Sequence, residues 1–412
     1  MSQAAAAFRH RDFRFYLSAR FFSLIAHTMM TVAVSQAVYE MTHNPLHLGY
    51  IGLSLFLPKF LFTLPAGHAA DRIDRRKIMM ASRIATSVLT LAFILYFRAG
   101  HAPLWLLYVL TFFMGIAQTF DGPASQAIVT QIVPSQDFEN AVTWNSANFQ
   151  TAFILGPALG GLLYTAFGAA AWVLCVVAAF RVFSVFLVLP LAPRTDHIET
   201  SDVTWSQAVA GLRYVFQHRI ILGAISLDLF AVLFGGAVAL MPVFANDILK
   251  VGPTGLGLLR AAPFAGSVLT AIALTRLPPI RRGGRALFGA VAVFGIATIL
   301  FGISQNFYFS ILCLAVLGAA DMVSVVIRHV LVQVQTPPSM RGRVSAVNLI
   351  FIGASNELGE FESGVTASWW GTVPATVIGG LGTLAVVAFY AWRFPEIRDY
   401  DRKSPPSIRS EC

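Results

Sequence analysis

The chain has 412 residues, a length that would suit two or three soluble domains. Its composition excludes them: 56% of residues are hydrophobic and 12% charged, about half of the roughly 25% charged share usual in soluble domains. With a mean hydropathy of +0.69 and 34 phenylalanines, it could not cover a water-exposed surface with polar groups, so it reads as an all-α integral membrane protein.

The N-terminal stretch Phe8–Arg14 is polar and basic, and the apolar run after it is too long for the core of a cleavable signal peptide, so none is expected. A bilayer core of ~30 Å takes about 20 apolar residues per helix. Twelve such runs follow in order: 16–38, 48–69, 78–98, 104–128, 142–164, 171–193, 220–244, 255–276, 286–302, 308–330, 344–365 and 374–392. Short connections with turn residues join them, such as His43-Asn44-Pro45 and Leu277-Pro278-Pro279. The longest, 194–219, contains Trp205 to Phe216, whose Val209, Leu212 and Phe216 share one side and predict a helix lying along the membrane surface. The expected organisation is an N-terminal half 1–193, a cytoplasmic linker 194–219, a C-terminal half 220–392 and a cytoplasmic tail 393–412. Cys175, Cys313 and Cys412 lack metal-ligand spacing and read as inert thiols.

The net charge of +9 could suggest nucleic acid, but its distribution points to lipid. Alternate connections, beginning with 1–15, carry twenty Lys and Arg, whereas the opposite set carries only Lys250. Cytoplasmic loops are enriched in such cations, so both termini are expected in the cytoplasm. The chain also nearly repeats at half its length. An offset of 206 carries Gly49 onto Gly255 and Arg75-Arg76 onto Arg281-Arg282; an offset of 203 carries Gly115 onto Gly318, Pro134 onto Pro337 and Asn145 onto Asn348. Two parallel six-helix halves are an architecture used for alternating access.

Between the second and third runs stands Gly67-His-Ala-Ala-Asp71-Arg72-Ile-Asp74-Arg75-Arg76-Lys77. Gly67 would permit a tight exit, Asp71 could meet helix ends and arginines, and the cations would anchor the loop at anionic lipid. This segment resembles the signature loop of the major facilitator superfamily. The resemblance implies twelve transmembrane helices in two pseudo-symmetric six-helix bundles and a small-molecule transporter, not an enzyme. Within the superfamily the chain is similar to the enterobactin-exporter-like group of bacterial secretion permeases. The matching pieces are Phe13-Arg14 to Ala19-Arg20-Phe21, Asp71-Arg72 with Asp74-Arg75-Arg76, and Gln335-Thr336-Pro337 with Met340, Gly342-Arg343 and Asn348. Macrolide-efflux permeases look similar too, so the substrate stays open. Gly156-Pro157-Ala-Leu-Gly160-Gly161 resembles the antiporter motif of exporters, with Ala152 where an earlier Gly is usual; it reads equally as a close-packing motif.

Ionised groups inside a membrane are costly, about 2.5–3.5 kcal/mol at mid-depth on the lenient scale, so Arg20, Lys59, Arg181, Asp228, Arg260, Asp321, Arg328, Glu357, Glu360 and Glu362 single themselves out. At ~1.5 Å per residue, Asp228 and Asp321 lie at matching depths, about 12 Å from the cytoplasmic edge. Spans seven and ten resemble the superfamily's cavity-lining pair, and two carboxylates sharing an aqueous pocket suit reversible protonation. A structural role for each is the competing reading. Arg260 or Lys59 facing Glu357 and Glu360 could form a periplasmic gate or a static ion pair. Proton-coupled drug antiporters of the superfamily often place a carboxylate in span one, where this chain has His27; the departure either argues against a drug-type coupling scheme or moves the protonation to Asp228, Asp321 or His27, and a lone His reads also as a hydrogen-bonded cavity residue. Arg181 and Arg328 are expected to snorkel or to pair structurally. Gln118, Asn145, Asn148, Asn348 and Asn356, with aromatics nearby, suggest a large cavity of mixed polarity or else amide-mediated helix packing.

No phosphate-binding Gly-rich loop, zinc-protease helix or nucleophile elbow occurs, and no cofactor or metal is expected. The leading expectation is a monomeric secondary exporter of the bacterial inner membrane, moving a bulky organic solute against protons. A facilitator, importer or lipid-type translocator of the same fold is the alternative, and a non-transporting sensor or scaffold the reading outside that class.

Overall fold

The computed structural model describes residues 3–100, 102–193, 205–278, 282–337 and 340–399. The main helices are α1 (Arg11–Thr42), α2 (Pro45–Arg72), α3 (Arg75–Ala99), α4 (Leu104–Ala127), α5 (Phe138–Phe167), α6 (Ala170–Val188), α7 (Trp205–Gln217), α8 (Arg219–Phe234), α9 (Gly252–Arg276), α10 (Gly283–Ile303), α11 (Phe307–Gln335), α12 (Arg341–Trp370) and α13 (Thr372–Arg393). Among the described residues, eleven helical segments are long and apolar enough to cross a membrane. The remaining expected span, 344–365, lies within the 30-residue helix α12, whose Arg341, Arg343, Glu357, Glu360 and Glu362 lower its hydropathy. The outward surface is apolar: Phe60, Leu95 and Leu269 are each more than 60% exposed, as lipid-facing side chains should be.

Local chemistry sets the helix ends. His43 takes a left-handed φ of 46° at the end of α1, and the Asn44 side chain accepts from Leu46 N at 2.9 Å before Pro45 opens α2. Such a cap followed by Pro satisfies or removes orphan N–H groups. The expected span 220–244 is not one helix. It breaks after Phe234 at Gly235-Gly236 and continues as a 3-10 turn, a short α segment and a π-helix at Phe244–Ile248. A Cβ on Gly236 would run into the Gly359 carbonyl, so the break coincides with a close backbone crossing that only glycine allows.

Two compact units emerge: residues 1–203 with 238–261, and 204–237 with 262–412. In the first, α1 packs on α5 and α6, and α3 on α4 and α6. In the second, α8 packs on α12 and α13, and α10 on α11 and α13. The partnerships are the same, shifted by one half of the chain. The repeat extends to atoms. Gly115 of α4 lies against Pro58 of α2, and Gly318 of α11 lies against Pro263 of α9. Gly115 and Gly318 are the pair related by 203 in sequence, and each is the small residue that lets a bent helix come close.

Each unit has its own apolar core. In the first, Met29, Phe93, Leu107 and Leu174 form one cluster, and Phe13, Met79, Ile128 and Leu191 another. In the second, Leu227, Leu287, Ile327 and Leu331 cluster in the bundle, and Val215, Ile221, Val332 and Val344 beneath α7. The α7 helix buries Val215 and leaves Leu212 and Phe216 exposed, which fits an apolar face turned to lipid; the Val209 side chain lies outside the described residues.

Candidate transport site

The signature loop is a set of helix-end clasps. Arg75 donates from Nε to Ala70 O at 3.3 Å and from Nη1 to Ala127 O at 3.1 Å, tying the C-termini of α2 and α4. Arg76 donates to Leu189 O just beyond α6, and the Asp74 side chain caps α3 by accepting from Arg76 N at 2.9 Å. Cations on C-terminal carbonyls are favoured by both hydrogen bonding and the helix dipole. The expectation that Gly67 makes the exit is corrected: α2 runs through it to Arg72, and the turn falls at Ile73-Asp74. Asp71 and Arg72 thus belong to the last turn of α2 rather than to the loop. The repeat counterpart Arg281 lies outside the described residues; in a different connection, before α12, Arg341 donates from Nε to Thr336 O at 3.2 Å, five residues back as Arg75 does to Ala70.

The Gly156–Gly161 segment packs backbones together. A Cβ on Gly160 would stand 3.0 Å from Met29 Cα, and one on Gly161 would strike Pro253 O. Thr28 Oγ1 also donates to Ala152 O at 3.3 Å, and Pro157 sits inside the helix with its carbonyl against Gly257. Every glycine of the segment therefore serves a contact of α5 with α1 or with the start of α9.

In the first unit, His27 Nδ1 and Gln118 Nε2 are 3.2 Å apart and both side chains are half-buried. Asn148 is buried and donates to Leu17 O at 3.0 Å, a packing contact between α5 and α1. Asn145 is half-buried on the same helix. Arg260 reaches Ser35 Oγ at 3.5 Å, and Lys59 lies in α2, where its carbonyl accepts from Thr63. Glu357 and Glu360 belong to the second unit.

Arg181 does not snorkel, and among the described residues it forms no ion pair with a carboxylate. It is 5% exposed, and its guanidinium nitrogens rest on Met114 Sδ at 3.5 Å and Met30 Sδ at 3.4 Å. A buried charge without a counter-charge costs several kcal/mol.

Two polar clusters escaped sequence reasoning. Arg83, on α3, donates to Ser184 Oγ at 2.8 Å and pairs with Asp121 of α4 at 3.5 Å. Asp121 also accepts from Ser125 Oγ at 3.1 Å, and Tyr16 OH donates to Ser125 O at 2.8 Å while accepting from Arg20 at 3.0 Å. Both charges stood in plain view within apolar runs; their opposite signs at equivalent depths on neighbouring helices were the available signal. The second cluster lies at the far end of α1. Gln36 and Asn246 exchange amide hydrogen bonds at 2.9 and 3.0 Å, Tyr39 donates to Asp247, and Tyr164 donates to Glu40 at 2.5 Å. Glu40 and Asp247 fall just outside the apolar runs, so they read as loop residues.

In the second unit, Asp228 and Asp321 line one small cavity with Ser324, Val291 and Phe294. The two carboxylates are thus brought together, but on unequal terms. Asp228 is ion-paired with Arg328, and both are buried. Asp321 makes no hydrogen bond or ion pair among the described residues and keeps partial exposure. Glu357 is buried and Glu362 half-buried, Asn356 is exposed and donates to Ile352 O at 2.9 Å, and Asn348 is half-buried.

A helical membrane fold with repeated halves and partly polar bundle interiors is that of a membrane transporter. Solved structures agree over nearly the whole chain. A bacterial homolog of the human lysosomal transporter Spinster, inward-facing and unoccupied, aligns with a TM-score of 0.70 at 15% identity, covering 94% of this chain and 95% of that one. A POT family transporter in complex with 5-aminolevulinic acid reaches 0.74 at 11% identity over 94% and 97%. Residues 2–410 match the transmembrane secretion effector family, and the chain belongs to that family within the major facilitator superfamily. Its relatives include the enterobactin exporter EntS of Escherichia coli strain K12, 23% identical over 402 residues, 97% of this chain and 95% of that protein. The EntS of E. coli O1:K1 is 24% identical over 403 residues. Family and fold are those of transporters, not enzymes.

Proposed function

We propose that the chain is a secondary exporter of a bulky organic solute, a siderophore-like metabolite or a drug, driven by proton antiport through rocker-switch alternating access. It works as a monomer in the bacterial inner membrane with both termini in the cytoplasm. The observation that carries the coupling is the unequal pair of carboxylates. A carboxylate held by a guanidinium keeps its charge, whereas one with no partner is free to take up and release a proton. Asp321 is therefore the proton carrier, and Asp228 with Arg328 sets the field around it. The export direction draws support from the enterobactin exporters that the chain resembles over nearly its full length. His27 with Gln118 and Asn145 in the first unit, and Asn348 in the second, are the solute-facing polar groups; Arg260, Lys59 and the cluster around Glu40 and Asp247 in the first unit, and Glu357 and Glu360 in the second, are assigned to gating.

Reconstitution into liposomes with an imposed pH gradient tests this. Uptake of a catecholate siderophore, a macrolide or a cationic dye should follow the gradient and collapse when it is dissipated. Movement that ignores the gradient would replace antiport with facilitated transport.

A further inference from the structure

Three arginines are buried to more than nine-tenths among the described residues, and two of them have their counter-charge: Arg83 holds Asp121 and Arg328 holds Asp228. Arg181 is the exception. Among the described residues its Nη1 and Nη2 meet only the thioether sulfurs of Met114 and Met30 and its Nε has no hydrogen-bond partner, while the Asp121 carboxylate attracts it without forming an ion pair. A guanidinium carries five N–H donors and no acceptor, and thioethers are weak acceptors, so most of its donor capacity is unused. The carboxylate on the adjacent helix, Asp121, stands two turns along α4 from Met114 and is already committed to Arg83 and Ser125.

What lies beside Arg181 supplies the rest. Met30 follows His27 by one turn of α1, and Met114 precedes Gln118 by one turn of α4, so each methionine shares a helix face with one member of the His27–Gln118 pair. The two half-buried polar groups and the guanidinium therefore form adjoining layers between α1, α4 and α6, with two methionines between them. Unbranched thioethers rearrange readily, so a shift of either methionine can uncover the charge.

We propose that Arg181 is the anchor for a carboxylate of the transported solute, with His27 and Gln118 bonding the neighbouring polar groups of the same molecule. The substrate class is thus a bulky organic acid. A planar guanidinium donates two parallel hydrogen bonds to a carboxylate, and that pairing supplies the contact partner that Asp121, committed to Arg83, does not. The assignment rests on reading the chain as a solute transporter, but it requires neither export nor proton coupling.

Equilibrium binding to the full-length protein in detergent tests it independently of direction and driving force, with salicylate and its methyl ester as probes. Wild type should bind the acid more tightly than the ester, and Arg181→Gln should weaken acid binding by about 10- to 100-fold, the range for a charged hydrogen-bonded contact, while weakening ester binding far less. Ester binding reports that the variant is folded. Should Arg181→Gln fail to fold, Met114→Glu provides the same test by placing a carboxylate of the protein on the guanidinium, and should abolish the preference for the acid. Equal affinity of wild type for acid and ester, or an undiminished acid preference in either variant, would overturn the proposal. A preference that behaves as expected in a protein showing no pH-driven flux would sink the antiport reading and leave this one standing.

Discussion

Arg328 and Asp321 stand one above the other on α11, seven residues apart, yet their surroundings give them opposite roles. Arg328 is buried and neutralised by Asp228, so removing its partner leaves a stranded charge. Asp228→Asn should lower the stability of the purified protein by about 3–5 kcal/mol, and the double replacement Asp228→Asn with Arg328→Met should recover most of it. Asp321→Asn removes no hydrogen bond or ion pair among the described residues and should change stability by less than ~1 kcal/mol, while abolishing pH-driven uptake and sparing solute exchange. Thermal unfolding in detergent and flux in liposomes read the two effects separately; equal destabilisation by both replacements would show that Asp321 is structural as well. The candidate acids were legible because charge is so costly in an apolar run. Their inequality was not, because Arg328 sits 100 positions from Asp228 and nothing local links them.

At the scale of helices, the glycines decide which neighbours touch. A Cβ on Gly318 would lie 2.6 Å from Pro263 Cα and overlap the Pro263 carbonyl, so α9 and α11 can cross there only without a side chain. Gly318→Ala should cost about 1–3 kcal/mol of stability, as overpacking does. A methyl added at Gly122, on α4, would meet no atom within 4 Å; Gly122→Ala should be neutral or gain up to about 1 kcal/mol from helix propensity. Thermal unfolding of the two variants side by side checks the contrast, and equal losses would contradict the packing account. Spacing alone marked Gly115 and Gly318 as equivalent, but not that each rests on a proline, Pro58 and Pro263, whose separation of 205 differs from the 203 of the glycines. The break of the seventh span at Gly235-Gly236 was likewise hidden, since an apolar run looks the same whether its backbone is continuous or broken.

For the whole molecule, the distribution of twenty cations against one across alternate connections predicts an orientation that labelling can check. In intact spheroplasts a membrane-impermeant maleimide should modify a cysteine introduced at Lys250, an exposed position, and should leave Cys412 untouched until the membrane is opened. Labelling of Cys412 from outside would reverse the topology. Such an arrangement follows from charge and hydropathy, which act on each segment as it meets the bilayer and so can be read without knowing the fold.

Class, spans, internal repeat and family were all legible in the bare chain, because each is written in local features: apolar runs sized to a bilayer, cations at loop ends, glycines and prolines at recurring intervals. Which charges are neutralised and which are left over was settled by the packing of the folded molecule. Among the described residues Asp121 is ion-paired with Arg83 and Asp228 with Arg328, while Arg181 is ion-paired with neither, and these outcomes depend on helices distant in the chain meeting at a given rotation and depth. A buried charge has its meaning from the group across from it, and that neighbour is chosen by tertiary contact.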